Sequence, residues 1–561
     1  MKIAGSEVVI KSLIEENVNT IFGYPGGAIM PVYDKLYQYL DQIHHVLARH
    51  EQGAIYAAQG YARVSGKTGV CFATSGPGAT NLITGLADAM IDSTPVLCIT
   101  GQVAKKLLGT DAFQETDIIG ISTPVTKWNI QVTKPEDIAP TIAKAFYVAK
   151  SGRPGPVLID ITKDAQFSET DFNYKKCTRV RSYKSTPEID RRKIDEAAQL
   201  INEAEKPYIL VGQGVTLAHA EKEFLSFVEK SGIPVAWTLL GAQNIPTKHP
   251  QNMGMLGMHG NYATNLLTNQ CDVLIAIGMR FDDRVTGNVE KYARQAKIIH
   301  LELDPAEINK IIKSDVAVLG NCKQSLPMLM NKVKKKDYTQ WYAQFKSLQQ
   351  EEYNQVIQHD LNPSIGGILM SEVIDLINRY KTEDAVLTLD VGQHQMVASR
   401  YFKFNSHRSN IQSGGLGSMG FSLPAGIGAK LGAPNRQVIS VSGDGGFQMN
   451  IQELGTIAQE QLNLKILVLN NQFLGMVRQW QELFFDNRYS FTSIKSPNLV
   501  KLGESYGIKA NSVNKRIDLE DAIKVFLNTE GAYLLEIMVE KEDNVFPMMP
   551  TGSAVDEMRL K

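Results

Sequence analysis

The chain is short of every feature that ties a protein to a nucleic acid, a membrane or an oxidising compartment. Its 58 Lys and Arg stand against 59 Asp and Glu, a formal net charge of -1, which excludes a protein held mainly by phosphate backbones. The basic run Lys332 to Lys336 is brief and reads as a solvated face. The five cysteines (Cys71, Cys98, Cys177, Cys271 and Cys322) are odd in number, far apart and without a CxxC pair. Neither a disulfide framework nor a structural zinc site fits them, and Cys71 and Cys98 read as core thiols inside apolar runs. No apolar stretch reaches the roughly 18 residues of a membrane span. The opening MKIAGSEVVIKSLIEEN carries acids on a helical period in place of a secretory apolar core. A soluble, cytoplasmic protein is expected, with no membrane and no nucleic acid among its partners.

What is present is core. Hydrophobic residues make up 43% of the 561 and charged ones 21%, ordinary values for a globular chain with room for three or four domains. Short Val- and Ile-rich runs alternate with amphipathic stretches, the pattern of doubly wound parallel α/β sheets. Three such blocks are expected, at 1–170, 191–345 and 365–540, joined by linkers 171–190 and 346–364 and followed by a tail, 541–561. In the first block a helix capped near Ser6 precedes strands at Thr20–Phe22, Val46–Ala48, Val70–Ala73, Val96–Thr100 and Val157–Ile161. The second has strands at Pro207–Val211, Val235–Trp237, Val273–Ile277 and Ile298–Leu301, and a lysine-rich stretch from about 331 to 358 reads as helical. The third has Ala385–Leu389, Val438–Val441, Lys465–Leu469 and Ala532–Ile537. Phe72–Gly78 and Ser440–Gly446 are both apolar strands feeding Ser-Gly-x-Gly turns, an echo that suggests one plan for the first and third blocks.

The strongest chemical signal is Gly443-Asp444-Gly445-Gly446, with a helix after it and then the strand ending in Asn470-Asn471. In a βαβ unit both strand ends reach the same sheet edge, so Asp444 and Asn471 can offer two hard oxygens side by side. Magnesium takes few protein oxygens and completes its octahedron with phosphate. The glycines admit a diphosphate to backbone N–H groups at a helix N-terminus.

GDGGFQMN followed by NN resembles the thiamin diphosphate motif. FGYPGGAIMPVYD (22–34), RHEQGAIYAAQGYAR (49–63), AFQETD (112–117), MRFDDRVTGN (279–288), SGGLGSMGF (413–421) and GMVRQWQELF (475–484) extend the likeness to the acetohydroxyacid synthases over practically the whole chain. The resemblance implies a pyrimidine-binding first block, a Rossmann-like middle block associated with FAD, and a third block holding the diphosphate and Mg²⁺. It places Asp444, the Asn471 side chain and a carbonyl near Phe473 on the metal. Gly27, Val391, Gln393, His394, Gly417, Met419, Gly443, Gly445, Gly446, Gly475 and Met476 fall at thiamin diphosphate positions. Glu51 matches the carboxylate that protonates the aminopyrimidine; a helix N-terminal Glu stabilised by the dipole is the structural alternative.

The loop after Val96–Thr100 carries Phe113-Gln114 where pyruvate decarboxylases have paired histidines, and His44-His45 stand upstream of Glu51, in the wrong place for that role. An apolar ring and a neutral amide would leave the decarboxylated substrate unprotonated and free to attack a second ketoacid. Arg284 matches the residue assigned to the acceptor carboxylate, for which a planar guanidinium is suited. Trp480 matches the acceptor pocket, where an indole fits 2-ketobutyrate, with core packing as the alternative. Lys163 aligns with a substrate-channel lysine, with a merely solvated surface lysine as the alternative, and Met258 lines the same cavity.

In the middle block Gly212-Gln213-Gly214 follows a strand, but Leu217 stands where a third glycine of a dinucleotide fingerprint belongs. The resemblance supplies the FAD contacts instead. These are Arg153, Gly212, Gly214, Thr238, Leu256, Gly257, Met258 and His259, then Gly278, Arg280, Asp282, Glu302 and Asn321. Asn321 replaces the Asp common in relatives. The flavin has no redox step to serve and is expected to be structural.

The expected activity joins pyruvate to a second pyruvate (2-acetolactate) or to 2-ketobutyrate (2-aceto-2-hydroxybutyrate), with release of CO₂, on the way to the branched-chain amino acids. A homodimer or dimer of dimers with intersubunit sites and a separate regulatory small subunit are implied, with the tail closing over the site. The alternatives are a pyruvate oxidase, a decarboxylase or a flavin-free catabolic acetolactate synthase, and a non-catalytic cofactor-binding scaffold.

Overall fold

In the computed structural model, which describes residues 2–561, the apolar runs form the centres of three six-stranded sheets. The first sheet runs His44–Leu47, Thr20–Gly23, Gly69–Ala73, Val96–Gln102, Val157–Thr162, Trp128–Val132. Numbered by chain order within the sheet, that is 2-1-3-4-6-5. The third sheet runs Asn410–Gln412, Val386–Leu389, Val438–Gly443, Leu464–Asn470, Tyr533–Met538, Lys509–Val513, the same 2-1-3-4-6-5. The echo between Phe72–Gly78 and Ser440–Gly446 is therefore one of topology, since each turn follows the third strand of its sheet.

The middle sheet runs Asn252–Met255, Val235–Trp237, Pro207–Val211, Val273–Ile277, Lys297–Glu302, Val316–Leu319. This is 3-2-1-4-5-6, the order of dinucleotide-binding sheets. Every pairing in the three sheets is parallel, with Val438–Gly443 in register against Leu464–Leu469, for example. Helices cover the faces, so the central strands are buried on both sides and are mostly apolar, with a few buried polar residues such as Asp160, His300 and Ser440 within them.

Three expectations need correction. The first helix, Gly5–Glu15, starts without a side-chain cap, and Ser6 is buried inside it. The chain enters it from a short strand, Lys2–Ala4, clipped antiparallel to Glu169–Asp171, and that pairing fixes the helix start. The lysine-rich stretch is helical only from Thr339, over Thr339–Glu352, with a π turn at Tyr353–Ile357. The run before it is not simply solvated: Val333 is buried, and the Lys336 ammonium donates to the carbonyls of Asn202 (3.1 Å) and Ala204 (2.7 Å), capping the helix Arg191–Glu203.

First and third blocks meet through the helices Glu51–Ser65 and Ser422–Gly432. These cross backbone to backbone: a Cβ on Gly428 would lie 1.7 Å from the Ala57 carbonyl oxygen, and one on Gly60 2.0 Å from that of Ala425. Four cysteines are buried and all five are free thiols. No helix among the described residues is long and apolar enough to cross a membrane.

Candidate active site

A cavity of about 1000 Å³ opens between the carboxyl edges of the middle and third sheets. At the third sheet the strand Val438–Gly443 passes directly into the helix Asp444–Met449. Asp444 is buried behind this turn. Its Oδ2 accepts from Ser496 Oγ at 3.2 Å, its Oδ1 is buried with no partner, and burial pushes its pKa up to about 6. The adjacent strand delivers Asn471 to the same edge. An unpartnered buried carboxylate oxygen is costly unless something positive meets it. No three His, Cys, Asp or Glu side chains gather to hold a metal among the described residues. A hard cation drawing on one carboxylate, an amide or carbonyl oxygen and phosphate oxygens fits this donor set.

The side chains around Asn471 are already oriented. Its Oδ1 accepts from the Phe473 N–H (3.1 Å) and its Nδ2 donates to Gln393 Oε1 (3.2 Å). Gln393 Nε2 donates in turn to Gln479 Oε1 and the Asp543 carbonyl, both at 2.9 Å. A Cβ on Gly475 would stand 2.1 Å from Gln393 Oε1 and 2.6 Å from Asn471 Nδ2, so a larger residue there would displace these two amides. His394 Nε2 accepts from the Gly443 N–H at 3.2 Å, and burial lowers its pKa to about 4, so the ring is neutral at pH 7.

Val391, Gly417 and Met419 line the same cavity. Their loop is held by the buried Asp390 carboxylate, which accepts from the N–H groups of Val391 (2.8 Å), Gly420 (2.9 Å) and Ser422 (3.2 Å). Gly417 sits at φ +70°, a left-handed conformation that favours glycine. Gly443, Gly445, Gly446, Phe473, Met476 and Trp480 complete this end.

The other end belongs to the middle sheet. Gly212 and Gly214 follow its first strand, and their Cβ atoms would fall 2.4 Å from the Gly278 oxygen and 2.6 Å from the Gly278 Cα. These glycines are therefore needed for contact between two loops. Arg153, Thr238, Leu256, Gly257, Met258 and His259 line the cavity, as do Gly278, Arg280, Asp282, Glu302 and Asn321. Gly212 lies behind the lining. His259 Nδ1 is buried without a partner. Asp282 caps its helix by accepting from the Arg284 and Val285 N–H groups (3.1 and 3.2 Å), and Asn321 caps another at Lys323 (2.9 Å). Arg284 lies where the two ends meet, its Nη1 3.0 Å from the Met258 sulfur.

Apart from Arg153, the first-block candidates are elsewhere. Gly27, Glu51, Phe113, Gln114 and Lys163 do not line this cavity. Glu51 begins its helix after the strand His44–Leu47, is buried, and accepts from Asn81 Nδ2 at 2.9 Å. Phe113 is 89% exposed, so its ring has no partner within the chain. Lys163 lines a separate shallow depression with Ala104, Asp164, Phe167 and Ser168. His44 pairs with Glu460 (2.8 Å) and His45 with Tyr33 Oη (2.9 Å), far in sequence from any cavity residue.

Sequence reasoning passed over Gln479, Asp543, Asp92 and Ser93. The first two fasten the tail: Gln479 also exchanges hydrogen bonds with the Val545 backbone (2.9 and 3.1 Å), while the Met549 N–H reaches the Met258 carbonyl (2.7 Å). Their only sequence signal is the apolar Pro547–Pro550 patch in which Met548 and Met549 are fully buried.

The chain is similar to known proteins along nearly its whole length. Residues 3–121 match the thiamine pyrophosphate enzyme N-terminal TPP binding domain, 194–329 the central domain and 390–537 the C-terminal TPP binding domain. The acetolactate synthase isozyme 2 large subunit of Escherichia coli is 45% identical over 558 residues, 99% of each chain. The acetolactate synthase large subunit of Corynebacterium glutamicum is 44% identical over 570 residues, covering 100% of this chain and 90% of that one. A probable acetolactate synthase large subunit of Methanocaldococcus jannaschii is 44% identical over 98% of this chain and 94% of its own. The chain belongs to the acetolactate synthase large subunits, a family of thiamine pyrophosphate enzymes.

Proposed function

We propose that this chain forms acetolactate from two pyruvates and also accepts 2-ketobutyrate, using Mg²⁺ with thiamin diphosphate at the third-block end of the cavity and FAD at the middle-block end. The observation that carries the reading is the buried, unpartnered Asp444 Oδ1 beside Asn471, a half-finished cation site at a sheet edge that presents backbone N–H groups to a diphosphate. Asp444, Asn471 and the Phe473 carbonyl would hold the cation. The flavin end draws support from the 3-2-1-4-5-6 sheet, the orphaned His259 Nδ1 and the arginines 153 and 280.

When bound, thiamin diphosphate supplies the electron sink that lets pyruvate lose CO₂. The protein's part is to place groups around it. Gln393 fixes Asn471, and neutral His394 supports the Gly443 turn. Met419 shapes the pyrimidine seat. Arg284 faces the acceptor carboxylate, and Trp480, tilted against Phe484 with ring centroids 5.1 Å apart, walls the acceptor's alkyl end. The tail 541–561 covers the helix Gly475–Phe484 and excludes water.

Because Glu51, Phe113 and Gln114 lie outside the cavity of their own chain, the site is completed by a second copy, whose first block faces the third. Phe113 would then gain a place to be buried, and the Glu51 carboxylate would stand at the cofactor held by its neighbour, where it could hold a proton for the aminopyrimidine. A regulatory small subunit belongs to the same reading, since the relatives are named large subunits. The test supplies pyruvate and 2-ketobutyrate with thiamin diphosphate, Mg²⁺ and FAD each omitted in turn. Both acetohydroxy acids are expected only with all three. Acetaldehyde or acetyl phosphate as the main product would overturn the assignment, and full activity without FAD would remove the flavin.

A further inference from the structure

Asp92 and Ser93, which end the helix Ile83–Ile91, touch both halves of the cavity although they belong to the first block. We propose that Asp92, with Arg63 and Asp88 behind it, is a positioning residue that couples the dinucleotide end of the cavity to the thiamin diphosphate end, so that each cofactor tightens the other. The proposal rests on the reading of FAD and thiamin diphosphate given above.

On one flank, the Asp92 carboxylate accepts from two consecutive amides of the thiamin loop, Gly414 N–H to Oδ2 and Gly415 N–H to Oδ1, both at 2.8 Å. Neither glycine has room for a side chain: a Cβ on Gly414 would meet Leu240 Cγ at 2.7 Å, and one on Gly415 would meet Ile91 Cγ1 at 2.9 Å. Ser413 Oγ donates to Asp88 and accepts from the Ser418 N–H (2.8 Å), next to Met419. Arg63 holds both acids, its Nη2 3.1 Å from Asp92 and 3.6 Å from Asp88, with side chains almost wholly buried.

On the other flank is Arg153. Its Nε donates to Ser93 Oγ (2.8 Å), its Nη2 to the Ile91 carbonyl (3.2 Å) and its Nη1 to Glu307 of the middle block (2.8 Å). Ser93 stands at φ +57°, a conformation unfavourable for a residue with a Cβ and kept only where its surroundings over-determine it. A ligand that draws on Arg153 therefore acts on residues 91–93. The Asp92 carboxylate, bonded directly to the Gly414 and Gly415 amides, passes the displacement to their backbone.

The prediction is a linkage, and linkage is reciprocal. Thiamin diphosphate with Mg²⁺ is titrated into cofactor-stripped full-length protein by quenching of tryptophan fluorescence, with and without saturating FAD. FAD is titrated by flavin fluorescence, with and without thiamin diphosphate. Each cofactor is expected to tighten the other by one common factor, on the order of 5–150-fold. Asp92→Asn, which cannot accept both amides, and Ser93→Ala, which loses the Arg153 acceptor, should bring that factor close to 1 while flavin still binds. Should Asp92→Asn fail to fold, Ser93→Ala reads the same factor. Wild-type protein that binds both cofactors independently, or a folded Ser93→Ala that keeps the full factor, overturns the coupling and leaves the flavin assignment standing. Protein that takes up no flavin overturns both.

Discussion

Gly428→Ala tests how the catalytic halves are held together. The added Cβ would sit 1.7 Å from the Ala57 carbonyl oxygen and 2.6 Å from its carbonyl carbon, where a relaxed contact needs about 3.2 Å or more. The obstacle is helix backbone, which cannot swing aside like a side chain. The helices Glu51–Ser65 and Ser422–Gly432 must therefore separate by roughly 1.5 Å along that line. Core overpacking ordinarily costs about 1–3 kcal/mol, and a rigid backbone neighbour puts this substitution at the upper end or beyond. The shift also reaches function: Glu51 begins one helix, and the loop bearing Gly417 and Met419 leads into the other. A displacement of about 1 Å is worth on the order of 10²-fold in rate. Urea denaturation should show about 3 kcal/mol lost, and kcat should fall by about two decades with cofactors saturating. Gly426→Ala in the same helix is the control, because its Cβ meets only side chains at 3.3 Å. Wild-type stability and kcat in Gly428→Ala would refute the backbone-to-backbone crossing.

Glu51→Gln should retain the fold and lose about 10²–10⁴-fold in turnover; near-normal turnover at saturating cofactor removes Glu51 from the chemistry. Asp444→Asn should abolish the Mg²⁺-dependent binding of thiamin diphosphate, read by calorimetric titration, and retained binding would move the cation elsewhere. Trp480→Leu should lower the ratio of 2-aceto-2-hydroxybutyrate to acetolactate formed from mixed substrates, and an unchanged ratio dissociates the indole from the acceptor. The hydrogen bond that His44 Nε2 donates to the Glu460 carboxylate raises the pKa of His44 above its ordinary 6.5. Its stabilisation is thus complete below pH 6.5 and disappears as the pH rises through the higher folded value. With the imidazole half exposed the effect is at most about 1 kcal/mol, so His44→Gln should lower stability at pH 5.5 and leave it unchanged at pH 9.

The sequence was legible where burial is two-sided. All twelve central strands coincide with apolar runs read directly, because a parallel strand covered on both faces has no polar alternation. The strands that escaped notice in the three sheets are Trp128–Val132, Asn252–Met255, Val316–Leu319, Asn410–Gln412 and Lys509–Val513, and each is an edge. An edge strand is short or half solvated: Lys509 to Val513 buries only its last residue fully. The Gly443–Gly446 turn and Asn471 were legible because glycines, an acid and an amide stand at fixed places along consecutive strands. Asp92 and Ser93 carry no such signature. Their role comes from Gly414, Gly415 and Arg153, partners more than 50 residues away.

The shared strand order explains why the halves of the site lie on different blocks. After the third strand, the third sheet presents Asp444; the first sheet has Thr74-Ser75-Gly76-Pro77-Gly78 there and no acid. After the fourth strand, Asn471 stands opposite Val103. The first block therefore has the architecture of a cation site without the ligands. After the second strand the difference reverses: the third block offers the Ser413–Met419 loop, and the first offers Glu51. The helices that follow, Glu51–Ser65 and Ser422–Gly432, are counterparts in the two blocks, and they are the pair that crosses at Gly60 and Gly428. Under the function proposed above, Glu51 and Asp444 of one chain would serve different sites, and a complete site would take two chains.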